Sequence, residues 1–179
     1  MVYTPFARVA IHWGAVCATV GCNLLPQGTL MNTNDGFVTA YTDISGNGHL
    51  WAYSYYVRCD QGVLTKADMI DVPVCDTNYA EMYAIVRVVK DILGRYDGIN
   101  RILVVTDSRN AQNILWRGTD NEKYVDIVSQ FRRLEGRVRV LIKWTKGHSG
   151  DDSDRTYLNN RCDKHSRGVV RDYLRKLRG

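Results

Sequence analysis

The stretch RILVVTD, residues 101–107, decides how the rest of the chain is read. Four consecutive aliphatic residues, Ile102 to Val105, leave no polar parity for water. A strand wetted on one side alternates; a strand apolar on both parities needs cover on both faces. It therefore predicts an interior strand of a sheet with helices on both sides. The run stops on an acid, Asp107.

Working back toward the N-terminus, NYAEMYAIVRVVKDILGRY (78–96) has helical period, with Ile85, Val88, Val89 and Ile92 on one stripe and an end near Gly94 or Gly98. Before it, GFVTAYTDIS (36–45) alternates as a strand and SGNG (45–48) is a turn. WAYSYYVR (51–58) is a second strand with Trp51, Tyr53, Tyr55 and Val57 on one face, and CDQG (59–62) turns into a third, GVLTKADMIDV (62–72). Short turns between three strands predict an antiparallel meander. Toward the C-terminus, SRNAQNILWRG (108–118) is a helix opened by the capping-type Ser108, and NEKYVDIVSQFRRLEG (121–136) is another. RVRVLIKW (137–144) is the fifth strand. NNRCDKHSRGVVRDYLRKLRG (159–179) is a terminal helix, with Cys162, Val169, Tyr173 and Leu177 expected inward. The order gives an α/β (mixed α+β) architecture, a five-stranded mixed sheet flanked by helices.

With 179 residues the chain fits one domain able to bury a sizeable core. Hydrophobic residues at 45% and charged residues at 24% exclude a disordered chain. A net charge of +5 and a pI near 9.0 favour a polyanionic partner, though only weakly. Cysteines 17, 22, 59, 75 and 162 show no CxxC spacing, and this odd, dispersed set fits a reducing, cytoplasmic setting better than a disulfide framework. Cys17 and Cys22 with His12 match no zinc pattern, so buried thiols are expected. The apolar ARVAIHWGAVCATVGCNLLPQG (7–28) resembles a signal segment in part, but His12, Trp13 and Asn23 interrupt it and it is too short and mixed to span a bilayer. Residues 1–35 are read as an extension contributing an extra strand or strand pair, with no membrane association, and 36–179 as the functional domain.

Three acids sit oddly in these elements. Asp43 shares a strand face with Phe37, Thr39 and Tyr41; Glu81 precedes Ile85 and Val88 by four and seven residues, on the core-facing stripe of its helix; Asp107 ends an apolar strand. A carboxylate near a core is costly unless neutralised. Any one of them alone reads as a cap or an ion pair. Together with Asp163, at the start of the terminal helix, they can gather where strand ends and helix starts meet at one sheet edge. Four such acids repel one another, and oxygen-preferring divalent cations, Mg²⁺ or Mn²⁺, resolve the conflict. Two such ions form the usual clamp for phosphodiester hydrolysis.

On these residues the chain resembles type-1 ribonuclease H and the wider ribonuclease H-like superfamily. The resemblance is carried by YTDIS around Asp43, TNYAE around Glu81, VVTDS around Asp107, and WTKGHSG followed by NNRCD around His148 and Asp163, over residues 36 to about 168. It implies a monomeric, Mg²⁺-dependent endonuclease (two ions, with Mn²⁺ able to substitute) that cuts the RNA strand of an RNA–DNA hybrid and leaves 5′-phosphate and 3′-hydroxyl ends. By the same resemblance Asp43 bridges both ions, Asp107 and Asp163 serve the ion that activates water, and Glu81 serves the ion at the departing 3′-oxygen. His148 moves protons or eases product departure, a task that suits an imidazole. Ser45, Asn47, Asn78, Ser108, Arg109 and Asn159 are expected at the hybrid, whose RNA is told from DNA by its 2′-hydroxyls. Two other classes stay open at this point: a superfamily cousin acting on DNA, of resolvase or transposase type, and a non-catalytic nucleic-acid-binding module. The Met1 start is read as favouring a free-standing protein over a piece of a reverse transcriptase.

Departures from the family's pattern accompany these matches. Ile44 stands where a small residue usually follows the first aspartate, Arg109 where a glutamine is common, and Asp76 where a neutral polar residue helps bind a DNA phosphate. The loop between Gly150 and Asn159 is longer and more acidic than usual. The lysine-rich protrusion is missing, because only RGTDNEKY separates Trp116 from Val125. The candidates to grip substrate instead are Arg161, Lys164, Arg167, Arg171, Arg175, Lys176 and Arg178. Trp116 is read either as a stacking surface for DNA sugars or as core.

Overall fold

A computed structural model of the protein describes residues 36–46, 49–146 and 154–178, with side chains of the last segment described from 157 onward. The extension 1–35 and its expected strand pair, as well as Asn47 and His148, lie outside the described residues.

The described chain runs β1 (Phe37–Gly46), β2 (Trp51–Cys59), β3 (Gly62–Met69), α1 (Thr77–Arg95), β4 (Arg101–Thr106), α2 (Arg109–Arg117), a 3₁₀ turn (Glu122–Tyr124), α3 (Val125–Glu135), β5 (Arg139–Trp144) and α4 (Asp154–Arg178). The sheet order is β3-β2-β1-β4-β5. β1–β2 and β2–β3 pair antiparallel, while β1–β4 and β4–β5 pair parallel, so the five-stranded mixed sheet expected from sequence is present.

Strand parity separates two apolar layers. Val38 and Ala40 of β1 join Ile85, Val88, Val89 and Ile92 of α1, Leu115 of α2, and Ile127 and Phe131 of α3 in the larger core. The opposite parity, Tyr41 of β1 with Tyr56 and Val105, meets Cys162 of α4 in a smaller one. β4 feeds both layers, through Ile102 and Val104 on one side and Val105 on the other. That is the physical reason for its unbroken apolar run. α4 is also hydrogen-bonded to the sheet: Ser54 Oγ donates to the Cys162 carbonyl at 2.6 Å, and Cys162 Sγ donates to the Tyr41 carbonyl at 3.5 Å.

Two glycines set the ends of β1. Gly36 adopts φ 62°, and its carbonyl accepts from Asn100 and Arg101 N–H at 3.1 and 3.2 Å, tying the start of β1 to the start of β4. At the other end, a Cβ on Gly46 would lie 2.5 Å from both the Leu50 carbonyl oxygen and the Trp51 ring. Only a residue without a side chain lets β1 and β2 close there.

Two expectations are corrected. α4 begins at Asp154, so half of the long loop expected before Asn159 is helix. The inward stripe of α4 is also different. Cys162 is buried as expected and Val169 is half-buried, but Tyr173 and Leu177 are 39% and 65% exposed. Asn159, Asp163 and Ser166 are buried instead, and the Ser166 hydroxyl satisfies itself on the Asp163 carbonyl at 3.0 Å. Polar residues on a helix's inner face hide the stripe from a hydrophobic reading.

Candidate active site

β1 and β4 are parallel neighbours, so the acids at their C-terminal ends, Asp43 and Asp107, come out on the same side of the sheet. The first turns of α1 bring Glu81 to the same place. One carboxylate oxygen from each of Asp43, Glu81 and Asp107 lies within 4.8 Å of the other two. Asp43 and Glu81 are each 7% exposed, and Glu81 Oε2 is buried with no hydrogen-bond partner.

The electrostatic consequence is large. Burial, and then the charge of Asp107, raise the Asp43 carboxyl from 3.8 to about 8, although the Ile44 N–H on its Oδ1 at 2.8 Å favours the ionised form. Asp163 pushes in the same direction and Arg167 opposes it. Glu81 is also held well above its ordinary value, by burial first and then by Asp107 and Asp43. Carboxyls that resist ionisation because they are buried beside one another mark a candidate cation site.

Asp163 is not part of that mutually close trio. It is buried on α4, near enough for its charge to act on Asp43, and its Oδ1 takes the Arg167 Nε at 2.7 Å. Arg167 therefore supplies positive charge to this corner, a role the sequence reading had not separated from the general basicity of α4.

Asp107 is held by neighbours the sequence reading missed. The Trp144 indole N–H donates to the Asp107 carbonyl at 2.9 Å, and the Ser108 N–H donates to Thr106 Oγ1 at 3.1 Å. The signal was available in register: aligning β5 parallel to β4 pairs Trp144 with Thr106. Ser108 caps α2, accepting from the Ala111 N–H at 3.2 Å, and the Arg109 guanidinium lies 4.1 Å over the Trp144 ring.

The remaining candidates are dispersed. Ser45 sits at the end of β1, half-buried, beside the arginines of α4. Asn78 is half-buried in the first turn of α1 and hydrogen-bonds the Tyr124 hydroxyl. Asn159 is 5% exposed, with Oδ1 unpartnered, one helical turn before Asp163. Asp76 is a helix cap: its Oδ1 accepts from the Tyr79 N–H at 2.9 Å and its Oδ2 from the Tyr124 hydroxyl at 2.7 Å. Both oxygens being engaged explains why an acid is tolerated there. Trp116 is 72% exposed, so its reading as core is excluded.

A family model described as RNase H matches residues 35–171. No curated protein matches the chain. Among solved structures, the chain is similar to RNase H1 from the halophilic archaeon Halobacterium salinarum (TM-score 0.61, 19% identity, 76% of this chain and 99% of that one). It is similar to LC11-RNase H1 in complex with RNA/DNA hybrid (0.61, 13%, 76% and 99%). It also matches part of the prototype foamy virus protease-reverse transcriptase (0.60, 18%, 74% and 20%).

Proposed function

The chain belongs to the RNase H family, and from that premise we propose that residues 36–179 form a metal-dependent endoribonuclease domain that hydrolyses the RNA strand of RNA–DNA hybrids. The observation that carries the proposal is the trio Asp43, Glu81 and Asp107, three carboxylates converging within 4.8 Å. The donor set fits a hard divalent ion: every ligand atom is a carboxylate oxygen, two of the three groups are driven toward their neutral forms, and Glu81 Oε2 lacks a partner. In this reading Asp43 and Asp107, with Asp163, would hold one Mg²⁺, and Asp43 with Glu81 would hold a second; Mn²⁺ has the same oxygen preference. Bound there, the ions supply Lewis-acid activation of the attacking water and charge stabilisation at the departing 3′-oxygen.

The chain's own groups do the rest. Trp144 fixes the Asp107 main chain, so that carboxylate is presented beside Asp43 from an anchored strand end. Arg167 holds the Asp163 carboxylate by one oxygen and sets a positive charge beside Asp43. His148 takes up or delivers the proton exchanged at the scissile phosphate, and Ser45, Asn47, Asn78 and Asn159 read the sugar edge of the RNA. Products carry 5′-phosphate and 3′-hydroxyl ends.

The decisive experiment is a strand-labelled hybrid resolved on a gel. Cleavage confined to the RNA strand with Mg²⁺, and none in EDTA, is the expected outcome. Cutting in EDTA, or of duplex DNA in preference to hybrid, defeats the proposal. Among the described residues no helix is long and apolar enough to cross a membrane.

A further inference from the structure

Four arginines of α4, at positions 167, 171, 175 and 178, repeat at intervals of four, four and three, so they fall in one stripe along the helix. The structure places all four in the wall of a single groove of about 440 Å³, with Ser45 at one end and Val170 and Leu174 between the arginines. The stripe extends about 16 Å along the helix axis. Its first member, Arg167, touches Asp163, and Ser45 is two residues beyond Asp43, so the groove starts at the acidic corner and leads away from it. Beyond Arg167 the acids on this helix are sparse. Asp172 pairs with Arg175 at 3.3 Å, and among the described residues neither Arg171 nor Arg178 has an ion pair.

Solvated helix faces usually mix signs. Here one sign lines a concave surface continuous with the candidate active site, a geometry that follows a polyanion's backbone. We propose that the Arg171–Arg175–Arg178 groove is the substrate handle of this protein, gripping the phosphates of the hybrid beyond the scissile position and substituting for the basic protrusion its short α2–α3 connection cannot hold. This rests on the hybrid as substrate. The groove adds length-dependent affinity and leaves the chemical step to the acids.

The test uses the full chain with R171Q/R175Q/R178Q. Affinity for a short hybrid, and for one longer by about ten base pairs, is read by fluorescence anisotropy in EDTA over a salt series, so that no cleavage is needed. The triple variant is expected to bind the long hybrid about 10-fold more weakly, to lose the preference for length, and to show a log K against log salt slope shallower by about 2–3 units, near 0.9 per phosphate contact removed. Its kcat at saturating hybrid stays at the parental value. R95Q/R137Q/R139Q removes equal charge near the opposite ends of α1 and β5 and is expected to change neither slope nor length preference. Should the triple variant not fold, R171Q and R178Q singly are each expected to take about 0.9 from the slope. Unchanged affinity and slope, an equal loss in the control variant, or a slope change on duplex DNA with none on hybrid would each overturn the handle. A parent that binds hybrid through the groove but never cleaves it sinks the proposed activity and leaves the handle standing.

Discussion

Asp43 concentrates the chemistry of the site in one side chain. Its carboxyl is raised to about 8 by burial and by Asp107, so in the absence of divalent cations the folded state binds its proton more tightly than the unfolded state. The sign follows: this contribution to stability is fully present below about pH 4 and is lost as pH rises through about 8, with Glu81 acting in the same direction. Urea midpoints measured in EDTA should therefore fall across that window, and Asp43→Asn should flatten the fall. The same variant is expected to melt on the order of 5 °C higher than the parent without metal, and to lose cleavage by about 10³ or more, the scale of several kcal/mol of transition-state charge stabilisation. A variant that melts lower in EDTA would show that the ionised carboxylate is satisfied where it sits. Trp144→Phe keeps the ring under Arg109 but removes the N–H to Asp107. One lost hydrogen bond at a positioning residue should lower kcat roughly fivefold to tenfold while KM for hybrid holds; equal loss in both would assign Trp144 to substrate binding.

At the level of elements, most of the sheet was legible because its strands differ in kind. Alternation in 36–45 and the unbroken apolar run in 101–107 mark a strand at the junction and one inside, and the Ile85–Ile92 stripe marks the helix between them. The acids of β1, α1 and β4 were legible for the same reason, since each interrupts an apolar pattern whose geometry was already known. What stayed hidden was set by side chains satisfying themselves locally. Ser166 on its own helix backbone, Asn159 in the core and Trp144 across to β4 leave no trace in hydrophobic periodicity. The C-terminal end of β1 is sensitive to a single substitution. Gly46→Ala puts a methyl within 2.5 Å of Leu50 and Trp51, and a cost of about 1–3 kcal/mol is expected from equilibrium unfolding. A loss under ~0.5 kcal/mol would mean the hairpin can open without disturbing the sheet.

For the molecule as a whole, the acids come from β1, α1, the residue after β4, and α4, and the first three elements belong to one continuous core. The fourth does not: α4 is docked on the opposite face through a smaller apolar layer and two hydrogen bonds at Cys162. Its apolar layer is separate from the main core, so α4 should open as a unit of its own, at a lower free energy than global unfolding. Cys162, 2% exposed with its thiol pushed up to about 12 and one residue from Asp163, is thus a built-in clock for that event. Its alkylation, followed peptide by peptide by mass spectrometry, should lag far behind that of the exposed Cys75 and slow further when Mg²⁺ is added, because in the proposed site a cation held by both Asp163 and Asp43 would tie the helix to the strand. A Cys162 that tags as fast as Cys75 would mean the fourth acid rides on a hinge.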